Sequence, residues 1–288
     1  MPGGLVKSYM TPRTRWRYFV NNVMLSLTGL CALLTISILI FILAFLVYNG
    51  FSAVDWAFFT QLPKPPGEDG GGMANAIVGS GIMVLLGSVI GIPFGFLGGI
   101  YLAEYDGGWF ADAVRYTSDL LNGIPSIVLG IVAWTLLVEP MKTFSAWAGA
   151  VALSLILIPV VMRATEQFLR AVPVSLREGA LALGANKATT IMTVVVPAAR
   201  RGIMTGMILG VARIAGETAP LLFTSLNNQF WPSSLKQPTA SLPVMIYSHA
   251  IAPYDDWHRQ AWAAGLVLIV IVLTANIAAR LVVSRNAS

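Results

Sequence analysis

Residues 23–48 read VMLSLTGLCALLTISILIFILAFLVY and carry no charge. A helix of roughly 20 apolar residues crosses the hydrocarbon core of a bilayer, so this stretch reads as a membrane span. Working outward along the chain, five further apolar segments follow: 74–103, rich in glycine with Pro93 inside; 124–138, short and expected to begin near Ser118; 144–162; 203–226; and 262–283. In lipid, backbone N–H and C=O groups must bond within their own segment, which makes helices the expectation. A membrane barrel would instead show alternating strands of about 10 residues, and the sequence has none. The fold class is therefore an all-α polytopic membrane protein with six transmembrane helices. Its expected parts are a segment 1–22, a first helix 23–48, a loop 49–73 and a five-helix core 74–283.

Composition agrees. Hydrophobic residues make up 56% of the 288 residues and charged residues 11%, with a mean hydropathy of +0.74. A water-soluble domain carries about 25% charged residues. Cys31 is the only cysteine, so no disulfide framework forms within one chain. The net charge of +5 is not gathered into a basic domain, which argues against nucleic acid as a partner. A cleavable signal peptide is not expected, because the first apolar run has the length of a span and no small-residue cleavage pattern follows it.

The basic residues report topology instead. Of the 18 Lys and Arg, only Lys64, Lys142, Lys236 and Arg259 fall in the loops on one side, and Arg213 lies inside a span. All others, from Lys7 to Arg285, fall on the opposite side together with both termini, which are expected to be cytoplasmic. Trp16, Trp56, Trp109, Trp231, Trp257 and Trp262 sit near span ends, as in an aromatic belt.

Gly87, Gly91, Gly95 and Gly99 recur every fourth residue in the second span, and Gly202, Gly206 and Gly210 in the fifth. Each series forms a smooth ridge suited to close helix packing. Pro93 and Pro125 are candidate kink or break points, and Asn122-Gly123-Ile124-Pro125-Ser126 either lines a pathway or sets the angle of the third helix. The loop around Pro63-Lys64-Pro65-Pro66-Gly67-Glu68-Asp69 reads as a solvated linker. His249 and His258 form no metal-ligand pattern, and no cofactor is expected.

The connection 164–201 holds the most informative spacing. Ser175 and Glu178 have capping-box spacing, predicting a short helix that runs through Leu183 and ends at Gly184. Asn186 is placed to cap a second helix, with Pro197 shortly before the next span. Glu178-Gly179-Ala180, then Gly184, then Pro197 resemble the EAA loop of ABC importer permeases: E-A-A, three residues, G, nine residues, then I-x-L-P. Glu178, Gly184 and Pro197 match in register; Gly179 departs from alanine, and Val194 and Val196 stand for Ile and Leu. In that family the helix docks into a groove of an ATPase subunit, so Ser175, Glu178, Gly179, Ala180, Gly184 and Pro197 become the expected coupling residues. The chain has no G-x-x-x-x-G-K-[ST] sequence, so nucleotide binding is expected in another subunit and this chain is not an enzyme by itself.

The fifth span carries Arg213 and Glu217. A charge near the bilayer centre costs roughly 2.5 kcal/mol or more, and residues four apart share a helix face. The pair is either a structural ion bridge or a polar lining for an ionic substrate. The string Arg213-Ile-Ala-Gly-Glu217-Thr-Ala-Pro220-Leu-Leu-Phe-Thr224 is similar to a signature of PstA-type phosphate permeases, as is Pro125-Ser-Ile-Val-x-Gly130. Arg163 with Glu166 stands where that family also has a basic and an acidic residue. The resemblance implies an ATP-driven inorganic phosphate importer of the type I (MetI-like) class in the bacterial inner membrane. Arg213, Glu217 and Arg163 would line its pathway. Its partners would be a PstC-type permease, two PstB-type ATPase subunits, a periplasmic phosphate-binding protein and membrane lipid. Alternatives are a permease for sulfate, molybdate or phosphonate, and an ion-coupled carrier or channel.

Overall fold

A computed structural model describes residues 11–285 apart from 66, 69 and 106, with side chains up to Leu281. Lys7, Pro66, Asp69 and the Arg285 side chain, used in the sequence reading, lie outside that set. The chain divides into two compact units at Asn49/Gly50. The first is helix α1, Pro12–Gly50, which extends the expected span toward the N-terminus. Its stretch 23–48 is uncharged, and Thr28, Thr35 and Ser37 return their hydroxyls to carbonyls one turn back. That removes three donors from a hydrocarbon environment.

The second unit contains α2 (Ala74–Glu104), α3 (Trp109–Gly123), α4 (Ser126–Met141), α5 (Ala146–Arg170), α6 (Val174–Ala182), α7 (Lys187–Ala215), α8 (Ala219–Thr224), α9 (Leu242–Ala250) and α10 (Asp255–Arg285). Among the described residues five helices are long and apolar enough to cross a membrane. The pair α3 and α4, bent by 107°, makes a sixth span if counted as one.

Helix α5 is the most deeply buried of the spans, and the two glycine ridges explain why. A Cβ on Gly87 would lie 3.1 Å from the Ala150 carbonyl, on Gly91 3.0 Å from Leu157, on Gly95 2.7 Å from the Ile158 carbonyl, and on Gly99 2.5 Å from Thr165. The ridge of α2 therefore lies directly on α5 along its length. On another face of α5, Gly202, Gly206 and Gly210 of α7 meet Phe168, Ala164 and Leu157. The α2 ridge brings backbone against backbone, and the α7 ridge leaves room for the α5 side chains; a side chain at most of these positions would close that space. Met83, Leu129, Leu153, Leu157, Val161, Ile214 and Leu221 fill the remaining space.

Four sequence expectations need correction. The third span, expected to begin near Ser118, is instead a pair of helices, α3 and α4, broken at Pro125, which lacks an N–H and holds the preceding residue out of the helical region; Ile124 is extended, at ψ 134°. The fifth span begins at Lys187 and ends at Ala215, not at 203 and 226. Pro197 does not interrupt it: a π turn, Ile191–Val195, precedes Pro197, and the Val196 N–H reaches back to the Ile191 carbonyl. The wider turn relieves the clash of a proline ring with the carbonyl four residues earlier. The same device, Trp134–Val138, precedes Pro140 in α4. Pro93 likewise lies inside a continuous α2.

The third correction concerns the loop after α1, which is not a slack linker. A helical turn, Trp56–Thr60, is capped by the Asp55 carboxylate accepting from the Phe58 N–H at 2.8 Å. Phe58 and Met73 are buried against Ala76, Leu242, Met245 and Ala263. The Pro/Gly run at 63–72 drew the linker reading, whereas the apolar residues on either side of it fix the loop. The fourth is the capping box. Ser175 lies inside α6, whose N-cap is Pro173 and has no side-chain cap.

Substituting Gly95→Val should lower stability by about 1–3 kcal/mol through overpacking. Gly81→Ala on the same helix, whose Cβ would meet nothing within 4 Å, should leave it unchanged or slightly raised. Thermal unfolding midpoints of detergent-purified protein check both.

Candidate functional site

Three features of the second unit are candidates for function. The first centres on Glu166, 4% exposed near the C-terminal end of α5. Its Oε1 accepts from Arg115 Nε and Nη2 at 3.2 and 3.1 Å and from Arg170 Nε at 3.1 Å, and its Oε2 accepts from Arg163 Nη1 at 2.9 Å. Arg163 Nε also donates to Asp119 at 2.8 Å, and Arg115 Nη1 to Asp112 at 3.1 Å. One buried carboxylate thus organises three guanidinium groups from α3 and α5. Among the described residues, Arg115, Arg163 and Arg170 stand against Asp112, Asp119 and Glu166. Sequence reasoning paired Arg163 with Glu166 and missed the other four. The Glu166/Arg170 spacing was readable in the sequence, but Arg115, Asp112 and Asp119 arrive on α3, a helix the sequence reading did not anticipate.

The second feature is a pair of facing helix breaks. Helix α7 stops at Ala215 because Pro220, at the start of α8, cannot donate to the carbonyl of Gly216 and its ring would clash there. The break between α3 and α4 lies at Ile124–Pro125. The two broken paths touch: a Cβ on Gly130 of α4 would lie 2.6 Å from the Pro220 Cα. Ile124, Ile214 and Leu221 border the same apolar cluster. Discontinuous helices of this kind expose backbone polar groups where a membrane protein binds its substrate.

Arg213 stands on the last turn of α7, next to the second break. Its Nε is 3.8 Å from Glu217 Oε1, with the side chains 51% and 17% exposed respectively. That distance is an ion pair but too long for a hydrogen bond. The sequence expectation of a shared helix face does not hold, because Glu217 lies beyond the helix end; the two meet across the break. The glycine contacts also give relative depth. Gly202 faces Phe168 and Gly206 faces Ala164, an antiparallel register that sets Arg213 level with residue 157 of α5. Arg163 is six residues further along, or about 9 Å at helical rise. The two arginines are thus staggered in depth, with Arg213 level with the middle of the most buried span.

The third feature is the hairpin 171–186. Gly184 adopts φ +86° and ends α6, and the Asn186 side chain caps α7 by accepting from the Thr189 N–H at 2.8 Å. Helix α6 has no buried residue. Val174, Leu176, Leu181 and Leu183 are 63%, 46%, 50% and 91% exposed, and Glu178 and Gly179 are exposed beside them. A Cβ on Gly179 would meet nothing within 4 Å. This chain gives no internal reason for glycine at that position.

At the opposite end of the core, His249 of α9 is buried and stacks on Trp257 at 4.3 Å. Burial lowers its pKa to about 4, with Asp256 opposing the shift, so the imidazole is neutral in the folded protein. Its contribution to stability is complete above the unfolded value of 6.5 and is lost as pH falls from there toward 4. Thermal midpoints should therefore drop over that window, and His249→Gln should flatten the drop. Replacing Glu166 with alanine leaves three guanidinium groups without their shared acceptor. It should destabilise by about 3 kcal/mol, with Glu166→Gln less severe, as read by the same unfolding assay.

Comparison with known proteins places these features in a family. Residues 95–288 match the family profile described as binding-protein-dependent transport system inner membrane component. The phosphate transport system permease protein PstA of Yersinia pestis is 46% identical over 272 residues, covering 94% of this chain and 92% of the relative. The protein of the same name from Haemophilus influenzae is 43% identical, covering 96% and 98%. Among solved structures, an inward-facing form of the MetNI methionine ABC transporter superposes with a TM-score of 0.57 at 19% identity, covering 74% of this chain and 93% of that one. That likeness speaks to the fold. With sequence identity of this extent along almost the entire length, the chain belongs to the PstA-type phosphate permeases, within the binding-protein-dependent transport system inner membrane components.

Proposed function

We propose that this chain is the membrane permease subunit of an ATP-driven phosphate importer, with substrate passing beside Arg213, Glu217 and Arg163. In this reading the hairpin around Glu178 receives the stroke of a separate ATPase. The chain is a multi-pass inner-membrane transport subunit, not an enzyme. Both termini and the hairpin 171–186 lie on the cytoplasmic side, in keeping with the excess of Lys and Arg there. The partners are a second, PstC-type permease, two PstB-type ATPase subunits and a periplasmic phosphate-binding protein.

The observation that carries the reading is the exposed helix α6. A helix that buries no residue within its own chain and exposes Val174, Leu176 and Leu181 is fitted to a partner's groove, and a helix closed by Gly184 and followed by the Asn186 cap passes on displacement that a slack loop would absorb. Ser175, Glu178, Gly179, Ala180 and Gly184 form or flank its surface. Pro197 acts differently, as the residue whose π turn keeps the hairpin continuous with the fifth span. A conformational change passed from α6 through the turn 183–186 into α7 meets no further break before Arg213, on the last turn of α7.

The staggered arginines supply the chemistry. A guanidinium offers a planar fork to a tetrahedral oxyanion, and the loose contact of Arg213 with Glu217 leaves donors available. Glu217 repels a fully charged anion, which favours release over trapping. Arg163 is more tightly engaged with Asp119 and Glu166, and phosphate would have to exchange for one of those carboxylates.

In vesicles holding the complete complex, Glu178→Lys should abolish ATP-dependent phosphate uptake while the permeases stay assembled. Arg213→Gln should reduce uptake at least about 10-fold, the effect of losing one charge-assisted contact of roughly 1.5 kcal/mol, with α6 still bound to the ATPase. Uptake by this chain alone, indifferent to ATP and to Glu178, would sink the proposal in favour of a carrier or channel. Competition by sulfate or molybdate equal to that of phosphate would reassign the substrate.

A further inference from the structure

We propose that Arg177 and Glu104 form a clamp through which movement of α6 is passed directly to α2, in addition to the path along the chain into α7. The inference rests on the coupling role given to α6 above.

Because α6 buries none of its residues, it would be held by its two connections alone if nothing else gripped it. Arg177 supplies that grip. Its Nη1 pairs with Glu104 Oε1, and its Nη2 donates to the Leu169 carbonyl at 2.6 Å. One guanidinium thus bridges the last residue of α2 and the last turn of α5. The Glu104 side chain is 7% exposed and that of Arg177 19%, so the pair is shielded from the solvent that makes exposed ion pairs weak.

The rest of the environment points the same way. Lys187 Nζ donates to the Glu104 carbonyl at 2.6 Å and lies 3.9 Å over the Tyr105 ring. Arg170 Nη2 donates to the Leu102 carbonyl at 3.0 Å. The final carbonyls of a helix lack intrahelical donors and carry the negative end of its dipole. Three cations from the hairpin and its borders, Arg170, Arg177 and Lys187, therefore close on the C-terminus of α2. That helix is locked to α5 by its glycine ridge, and α5 to α7 by the second ridge. Displacement of α6 should move α2, α5 and α7 as one block. The parts left to move against it are α4 and α8, which follow the helix breaks.

Arg177 and Glu104 are positioning residues in this account; neither meets substrate or nucleotide. The test is the number of phosphates imported per ATP hydrolysed by the complete complex in proteoliposomes, for Glu104→Gln, Arg177→Gln and the double variant. Each single variant should retain its ATPase subunits and hydrolyse ATP at close to the wild-type rate, while phosphate per ATP falls by about fivefold or more, a coupling energy of roughly 1 kcal/mol. The double variant should be no worse than either single one, because both remove the same link. Arg177→Lys, which can make only one of the two contacts, should fall between. An unchanged ratio, or losses that multiply in the double variant, would overturn the clamp. So would loss of the ATPase subunits from the single variants, since the pair would then be a docking contact. If instead Glu178→Lys left uptake fully coupled to ATP, the failure would belong to the coupling role of α6.

Discussion

Helix α5 can be central only because two neighbours have no side chains where they touch it. Along α2 the glycine ridge brings backbone against backbone, so that even a methyl group at Gly95 or Gly99 would press on carbonyl oxygens or on Val161 and Thr165. Lipid offers no hydrophobic drive for helix association, so contact of this kind is what holds membrane helices together. The charged groups on α5 and α7 are arranged relative to that packed trio. Glu166 is buried because α5 is buried, and Arg213 acquires its depth from the register of Gly202 and Gly206 on the same helix.

Around the rigid trio the prolines act in two ways. Pro140 and Pro197 are absorbed by π turns, so the backbone continues and α7 becomes one rod from the hairpin to Arg213. Pro125 and Pro220 are not absorbed, and at each the helix ends. The paired breaks at Ile124–Pro125 and Gly216–Thr218 instead interrupt the rods, the second of them beside the Arg213–Glu217 pair.

The electrostatics follow the same division. The Arg115–Arg163–Arg170 cluster around Glu166 and the cations gathered on Glu104 both lie near the hairpin end of the bundle, where α2 and α5 finish. Each is anchored on a carboxylate that the packing keeps from solvent. Arg213 differs: it is half exposed and lies 3.8 Å from Glu217.

Much of this was legible in the residues. The apolar run 23–48, the four-residue glycine spacings, the Gly184 and Asn186 positions and the Arg213/Glu217 pair pointed to membrane spans, close packing, a helical hairpin and a charged site. All of these depend on periodicity or on groups near in sequence, which a single chain displays directly. Tertiary structure alone decided which neighbours the glycines met and which prolines broke a helix. It also decided that Phe58 and Met73 pin the loop after α1, and that Arg115, Asp119 and Glu104 join residues dozens of positions away. The local signal of a proline or a charge is the same in either outcome; the outcome depends on what packs against it, and that is fixed only when α2 and α7 close on α5.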